Sequence, residues 1–431
     1  MKLANISFRN VMNGIYIISN IRNYKKSQFK SQDELKKIQA DKLKSILFEA
    51  VHNVPFYSHL KAEINFKEFS LAELEKFPIV NKKIIKENYD KFLSQQYRHK
   101  KLAFKATSGS SGEPFKVPKA FYSDGIEQCM MFRAWSMNPA YNYHFRDPCI
   151  VLRSYSPEPG ELPYKVDKIM NYWYLSPFDI NDKNIELYYD YILRSKAKII
   201  RAYPSSLYIL TLYLEKHNLK LPQIRTLFTS SENLLPLYRN KIQEYWNLPL
   251  IDWYGQNERT AIAQMCEYGI YHNNDEYGII ELDDNGQIIA TSLNNNVMPL
   301  IRYATNDLAQ PSTIQHCKCG RGLSIPFQSI DGRADDLLTK NDDSIVATVN
   351  IYNAMEKYQY IKQFRIIQNS DKSIVLELAS SIELTTSMIH QIENELLIRL
   401  GNVPVSTHIV DEIERDRKTG KIKSIISNVK M

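Results

Sequence analysis

The residues best suited to chemistry lie in a few short polar segments of a 431-residue chain. Thr107-Ser108-Gly109-Ser110-Ser111-Gly112-Glu113-Pro114 combines two glycines with four hydroxyls. Such a backbone can bend until successive amides and hydroxyls converge on phosphate oxygens. It lacks the Gly-Lys-Ser/Thr ending of a Walker loop, which argues against a P-loop NTPase. Three further segments place carboxylates beside turn residues: Asp252-Trp253-Tyr254-Gly255-Gln256-Asn257-Glu258, Leu300-Ile301-Arg302-Tyr303-Ala304-Thr305-Asn306-Asp307 and Asp331-Gly332-Arg333-Ala334-Asp335-Asp336. Taken singly, each reads as a turn with a salt bridge. The basic turn Arg417-Lys418-Thr419-Gly420-Lys421-Ile422-Lys423 would ordinarily be a solvated hairpin. Cys266, Cys317 and Cys319 suit tetrahedral Zn²⁺ through soft sulfur, with His272 and His316 competing for the fourth position. The stretch Cys317-Lys318-Cys319-Gly320 is too polar for ordinary core thiols. Only 14 glycines occur, about half the usual ~7%, so their grouping in these segments is informative.

The elements that must position these groups follow from hydrophobic period. Leu35, Ile38, Leu43, Ile46, Leu47 and Ala50 recur at helical spacing, and Asn53-Val54-Pro55 ends that helix. From residue 102 short apolar runs, such as 149–152, 197–200 and 227–229, alternate with helical stretches at 123–137, 182–195, 205–217 and 234–246. This is the pattern of an α/β domain whose sheet is covered on both sides. Gly278–Leu282 and Gln287–Thr291 flank Asp283-Asp284-Asn285-Gly286 and read as a hairpin. Beyond Gly332 strands are expected near 344–349, 361–368, 373–379, 405–411 and 421–427, with helices near 350–358 and 383–399: a small α+β domain. We divide the chain into an N-terminal helical segment (1–100), a core (101–334) and a mobile C-terminal domain (335–431).

Composition removes several classes of function. With 44% hydrophobic and 24% charged residues the chain is a folded protein, not a disordered one. The net charge of +7 is concentrated: residues 82–105 hold Lys82, Lys83, Lys86, Lys91, Arg98, Lys100, Lys101 and Lys105 against Glu87 and Asp90, which reads either as solvated helical faces or as a field that attracts polyphosphate anions. Nucleic acid is not an expected partner. Val11–Ile21 is broken by Asn13, Gly14, Ser19 and Asn20 and is too short to span a bilayer, so no transmembrane segment is expected. Five cysteines are no disulfide framework, and a cytoplasmic location is expected.

The order and spacing of the four motifs, with Arg201-Ala202-Tyr203-Pro204-Ser205-Ser206 and Phe228-Thr229-Ser230-Ser231-Glu232, resemble the adenylate-forming superfamily of acyl-CoA synthetases. The resemblance is to its compact branch, the phenylacetate:CoA ligases and the relatives encoded with capsule and surface-polysaccharide genes, and it runs from about Pro78 to the C-terminus. It implies a large α/β adenylate-forming domain with a hairpin-rich region, followed by the small mobile domain. It implies an AMP-forming ligase that uses ATP and Mg²⁺, a small carboxylic acid, and CoA or a sugar or amine as acceptor. Thr107, Ser108, Gly109, Ser110, Ser111 and Gly112 would then hold the β- and γ-phosphates. Glu258 would coordinate Mg²⁺ beside Gly255 and Asn257, and Asp307 would hold the ribose. Arg333 would approach ribose and phosphate, and Ser231, Glu232 and Tyr254 would flank adenine. Asp335 would be the hinge and Lys421 the lysine that enters the site during adenylation. Trp135 and Tyr203 are candidates for the acyl pocket or for core packing. The resemblance favours His272 over His316, giving a structural zinc site of Cys266, His272, Cys317 and Cys319. Glu113, Asn257 and Asn306 depart from the common pattern, where Lys, Thr or Ser, and Gly stand. A homodimer is compatible with this reading. A rival from another class is a non-catalytic, zinc-containing protein that binds polyanions through its basic stretches.

Overall fold

A computed structural model of the chain describes residues 8–106, 116–137, 141–144, 146–153, 155, 157, 160–333, 338–341, 345–346, 351, 354–355, 357–416 and 422–429. By contacts the chain divides into two units, Met1–His144 with Trp253–Ser329 and Phe145–Asp252 with Ile330–Met431. No described helix is long and apolar enough to cross a membrane.

The first unit opens with two helices, α1 (Phe8–Ser27) and α2 (Gln32–Asn53). A capping box starts α2: Ser31 Oγ accepts from the Glu34 amide, and the Glu34 carboxylate accepts from the Ser31 amide at 3.0 Å. Pro55 lacks the amide that would extend the helix, and a 3-10 turn, Pro55–Ala62, follows. Leu43, Leu47 and Ala50 of α2 pack with Tyr57, Phe77, Leu300 and Ile301 in one core. Gly278–Leu282 pairs antiparallel with Gln287–Ser292, which pairs with Tyr303–Pro311. In the turn between the first two, Asp283 Oδ1 accepts from the amides of Asn285 and Gln287. Gly286 there has φ +78° and sits so close to Ala309 O that a Cβ would lie 2.7 Å away. Tyr303–Pro311 is pinned at its start by Val80, whose amide donates to Arg302 O at 3.0 Å and whose carbonyl accepts from Ala304 at 2.8 Å.

Four parallel strands head the second unit, in the order Thr226–Ser230, Ile199–Ala202, Cys149–Leu152, Tyr172–Leu175, with Tyr164–Asp167 antiparallel at the edge. Helices Ile185–Ser195, Pro204–Lys216 and Pro236–Trp246 contribute to the core against them. Burial on both faces is why these strands read as unbroken apolar runs. Pro204 and Pro236 stand in the first turns of their helices, where a missing amide costs nothing. The C-terminal sheet runs Val405–Ile409, Ile374–Ser380, Ile361–Gln368, Ile425–Ser427, and the helix Thr386–Leu400 supplies Ile392, Leu396 and Leu400 to its core. The expected strand at 421–427 is described over Ile425–Ser427.

Candidate active site

In the first unit two of the motifs meet side chain to side chain. Tyr254, near the end of the strand Leu250–Gly255, donates its hydroxyl to Asp307 Oδ2 at 2.8 Å, and Gln256 Nε2 donates to Tyr254 Oη at 2.9 Å. Burial, then the neighbouring Asp307 charge, push the Tyr254 phenol well above its ordinary value, so it stays protonated and donates. Tyr303 donates to Glu258 Oε1 at 3.2 Å, so both acidic motif residues are oriented by tyrosines. Asn306, where relatives of the expected family have glycine, adopts φ +67°, a conformation that Asn tolerates better than most side chains. Asn257 and Glu258 line a pocket with Lys119, Ser123, Arg259 and Asn294. Arg259 is held there by Asp124 at 2.7 Å and Glu127 at 2.5 Å.

In the second unit the polar groups gather at the carboxyl ends of the parallel strands, where open α/β sheets bind ligands. Arg153 follows Cys149–Leu152 and donates to Ser230 Oγ at 2.7 Å and Ser231 Oγ at 3.0 Å, while its guanidinium lies 4.9 Å from the Tyr203 ring centroid. Ser231 is exposed with φ +72°. The Glu232 carboxylate accepts from the amides of Ser205 and Ile422, each at 3.1 Å. Arg415 donates to Ser205 Oγ at 3.3 Å and Ser206 Oγ at 3.2 Å. Burial raises the Glu232 carboxyl above the usual carboxylate range, although Ser205 and Arg415 pull the other way. Arg153 thus joins Tyr203 to Ser231, and Ser205 joins Glu232 to Arg415. The expected phosphate loop Thr107–Gly112, Asp335 and Lys421 lie outside the described residues, as does the side chain of Arg333, whose backbone ends the strand Phe327–Arg333.

Trp135 is fully buried, its ring 4.6 Å from Tyr143 and 5.7 Å from Phe132, as a core residue would be. Sequence reasoning missed Arg153, Tyr303 and Arg415. The first had a signal: a cation directly after an all-apolar strand sits where the sheet ends.

Cys266, His272, Cys317 and Cys319 converge in the first unit, with their ligand atoms all within 4.8 Å of one another. Cys266 Sγ is 3.6 Å from Cys317 Sγ, and Cys319 Sγ is 3.4 Å from His272 Nε2. Tetrahedral zinc with its ordinary bond lengths sets S···S and S···N edges of about 3.8 and about 3.6 Å, so the group fits that ion. His272 is fully buried, and its Nδ1 lies 3.3 Å from Leu323 O. A carbonyl there favours the proton on Nδ1 and turns the Nε2 lone pair toward the sulfurs. His316 is exposed and outside the group. Just past Cys319, Arg321 Nε donates to Gln28 Oε1 and the Gly322 amide to Gln28 O, both at 3.0 Å. A Cβ on Gly322 would fall 1.9 Å from Lys30 O, so only glycine fits.

Residues 338–428 match the CapK C-terminal domain family. The chain is 22% identical over 405 residues to Protein CapK of Staphylococcus aureus, covering 88% of this chain and 86% of that protein. It is 26% identical over 351 residues to phenylacetate-coenzyme A ligase of Aromatoleum evansii, covering 75% and 74% respectively. Among solved structures, 2-hydroxyisobutyryl-CoA ligase in the postadenylation state with 2-HIB-AMP superposes with a TM-score of 0.68 at 17% identity, covering 93% of this chain and 90% of that one, a likeness of fold. The chain is a homologue of CapK and of the phenylacetate-coenzyme A ligases, with the α/β fold of adenylate-forming acyl-CoA ligases and a CapK C-terminal domain.

Proposed function

We propose that this chain activates a carboxylic acid with ATP, releasing pyrophosphate to leave an acyl-adenylate, and then passes the acyl group to the thiol of coenzyme A with release of AMP. The observation that carries the reading is the joining of two sequence-distant motifs at Tyr254–Asp307. A tyrosine-oriented carboxylate is suited to accept hydrogen bonds from a ribose, and Glu258 is a hard oxygen ligand suited to Mg²⁺. Homology to phenylacetate-coenzyme A ligase and the acyl-CoA ligase fold support the same chemistry. Arg153, beside Ser230 and Ser231, supplies positive charge in the second unit. A second reading, from the resemblance to capsule-linked relatives, makes the acceptor an amine or hydroxyl of a surface-glycan precursor.

Carboxylate-dependent ATP–pyrophosphate exchange across aryl acids, fatty acids, amino acids and uronic acids tests the first half-reaction, and at least one class is expected to give exchange. Silence across the panel sinks the proposal. Thioester formation on adding coenzyme A, against amide or ester formation with glycan precursors, then separates the two acceptors.

The four-residue thiol and imidazole group is proposed to hold a structural Zn²⁺, with all four positions filled by protein. Purified protein is expected to carry one zinc per chain, and Cys317→Ser to lose it and melt several degrees lower. Full zinc content in that variant, measured by elemental analysis, would remove the site.

A further inference from the structure

A surface helix normally needs one apolar face, turned to the core. Helix α1 has two. Tyr16, Ile17, Ile21 and Tyr24 pack against a core that includes Ile126, Cys129 and Met130. On the other side Phe8, Val11, Ile15 and Ile18 are 73%, 48%, 52% and 71% exposed. At 100° per residue these four fall within an arc of about 80°, so they form one continuous stripe. Phe121, itself 44% exposed, extends it, with its ring 6.4 Å from that of Phe8.

Charge identifies the occupant. The same arc continues into Arg22 and Lys26, both exposed, and the first acidic residue of the chain is Asp33. An apolar stripe that runs into basic residues, on a helix with no acidic group, complements a surface with a hydrocarbon layer beneath negative headgroups. A protein partner would have no reason to require the absence of every carboxylate from this segment. We propose that α1 lies flat on an anionic lipid surface, with Phe8, Val11, Ile15 and Ile18 entering the acyl boundary and Arg22 and Lys26 meeting the headgroups. A peripheral attachment of this kind would hold the enzyme beside a lipid-borne acyl donor or acceptor.

The full chain is tested by co-sedimentation with vesicles of phosphatidylcholine alone and of equal parts phosphatidylcholine and phosphatidylglycerol. Binding is expected to the mixed vesicles only and to weaken as salt is added. Ile15→Asp with Ile18→Asp, and separately Arg22→Glu with Lys26→Glu, are each expected to lower binding by about tenfold or more. The altered side chains are exposed, so melting temperatures should hold. Failure of the wild-type chain to bind mixed vesicles overturns the proposal, as does unchanged binding in both variants. A vesicle-free dimer that Ile15→Asp with Ile18→Asp dissociates would assign the stripe to a second copy and overturn it as well.

Discussion

Lys421→Ala is expected to lower carboxylate-dependent ATP–pyrophosphate exchange by roughly 10²- to 10³-fold. Attack of a carboxylate on the α-phosphate brings two anions together, and a fixed ammonium offsets the charge that develops as they approach. The described residues to either side of Lys421 are held within the second unit. Ile422 donates its amide to Glu232 at 3.1 Å, and Arg415 holds the hydroxyls of Ser205 and Ser206. Truncating the lysine leaves those tethers intact, so the defect should appear in chemistry and not in the melting temperature. Thioester formation from coenzyme A and a pre-made acyl-adenylate should survive, because the charge problem belongs to the first half-reaction. Equal loss of both half-reactions would assign Lys421 another role.

Breaking the buried pair of Arg133 and Glu276 is expected to cost about 3–5 kcal/mol of stability. Their side chains are 0% and 4% exposed and lie 3.0 Å apart. Arg133 also reaches the Asn274 side chain and Tyr24 O, and the Glu276 carboxylate accepts from Ser27, so the pair joins α1 and the helix Ser123–Trp135 to the segment before the hairpin. Glu276→Ala strands a guanidinium without water, whereas exchanging both partners for apolar groups should restore part of the loss. Denaturant unfolding of the single and double variants measures the difference. Burial alone would raise the Glu276 carboxyl, but Arg133 and Ser27 outweigh it and hold it below its ordinary value. A depressed carboxyl contributes stability above the unfolded value, about 4.3, and that contribution fades as pH falls through the lower folded value. Wild type should therefore lose stability on acidification more steeply than Glu276→Ala.

Much of the architecture was legible because local pattern and tertiary demand agree. The apolar runs at 149–152 and 227–229 need burial on both faces, and the helices between the strands supply it. The hairpin at Asp283–Gly286 was marked by its Asp and Gly, whose side-chain acceptor and positive φ the turn uses. Strand ends were less legible: the run read at 197–200 forms its strand at Ile199–Ala202, because pairing with Thr226–Thr229 sets the limits. The candidate site was legible as motifs but not as a network. Nothing near Glu232 announces that its carboxylate takes the amide of Ile422, since that bond exists only after two sheets have formed. Arg133 did leave a mark, a lone cation among Met130, Met131, Phe132, Ala134 and Trp135, but its partner is far along the chain and no local rule names it.

The clasp between Arg321, Gly322 and Gln28 separates mechanical from sequence distance. Gln28 and Arg321 are 293 positions apart, yet they share a hydrogen bond a step away from Cys319. That step allows little slack, and Gly322 leaves no room beneath Lys30 for adjustment. Whatever fixes the sulfur corner therefore also sets where the C-terminal end of α1 sits, and loosening that corner would be felt along that helix.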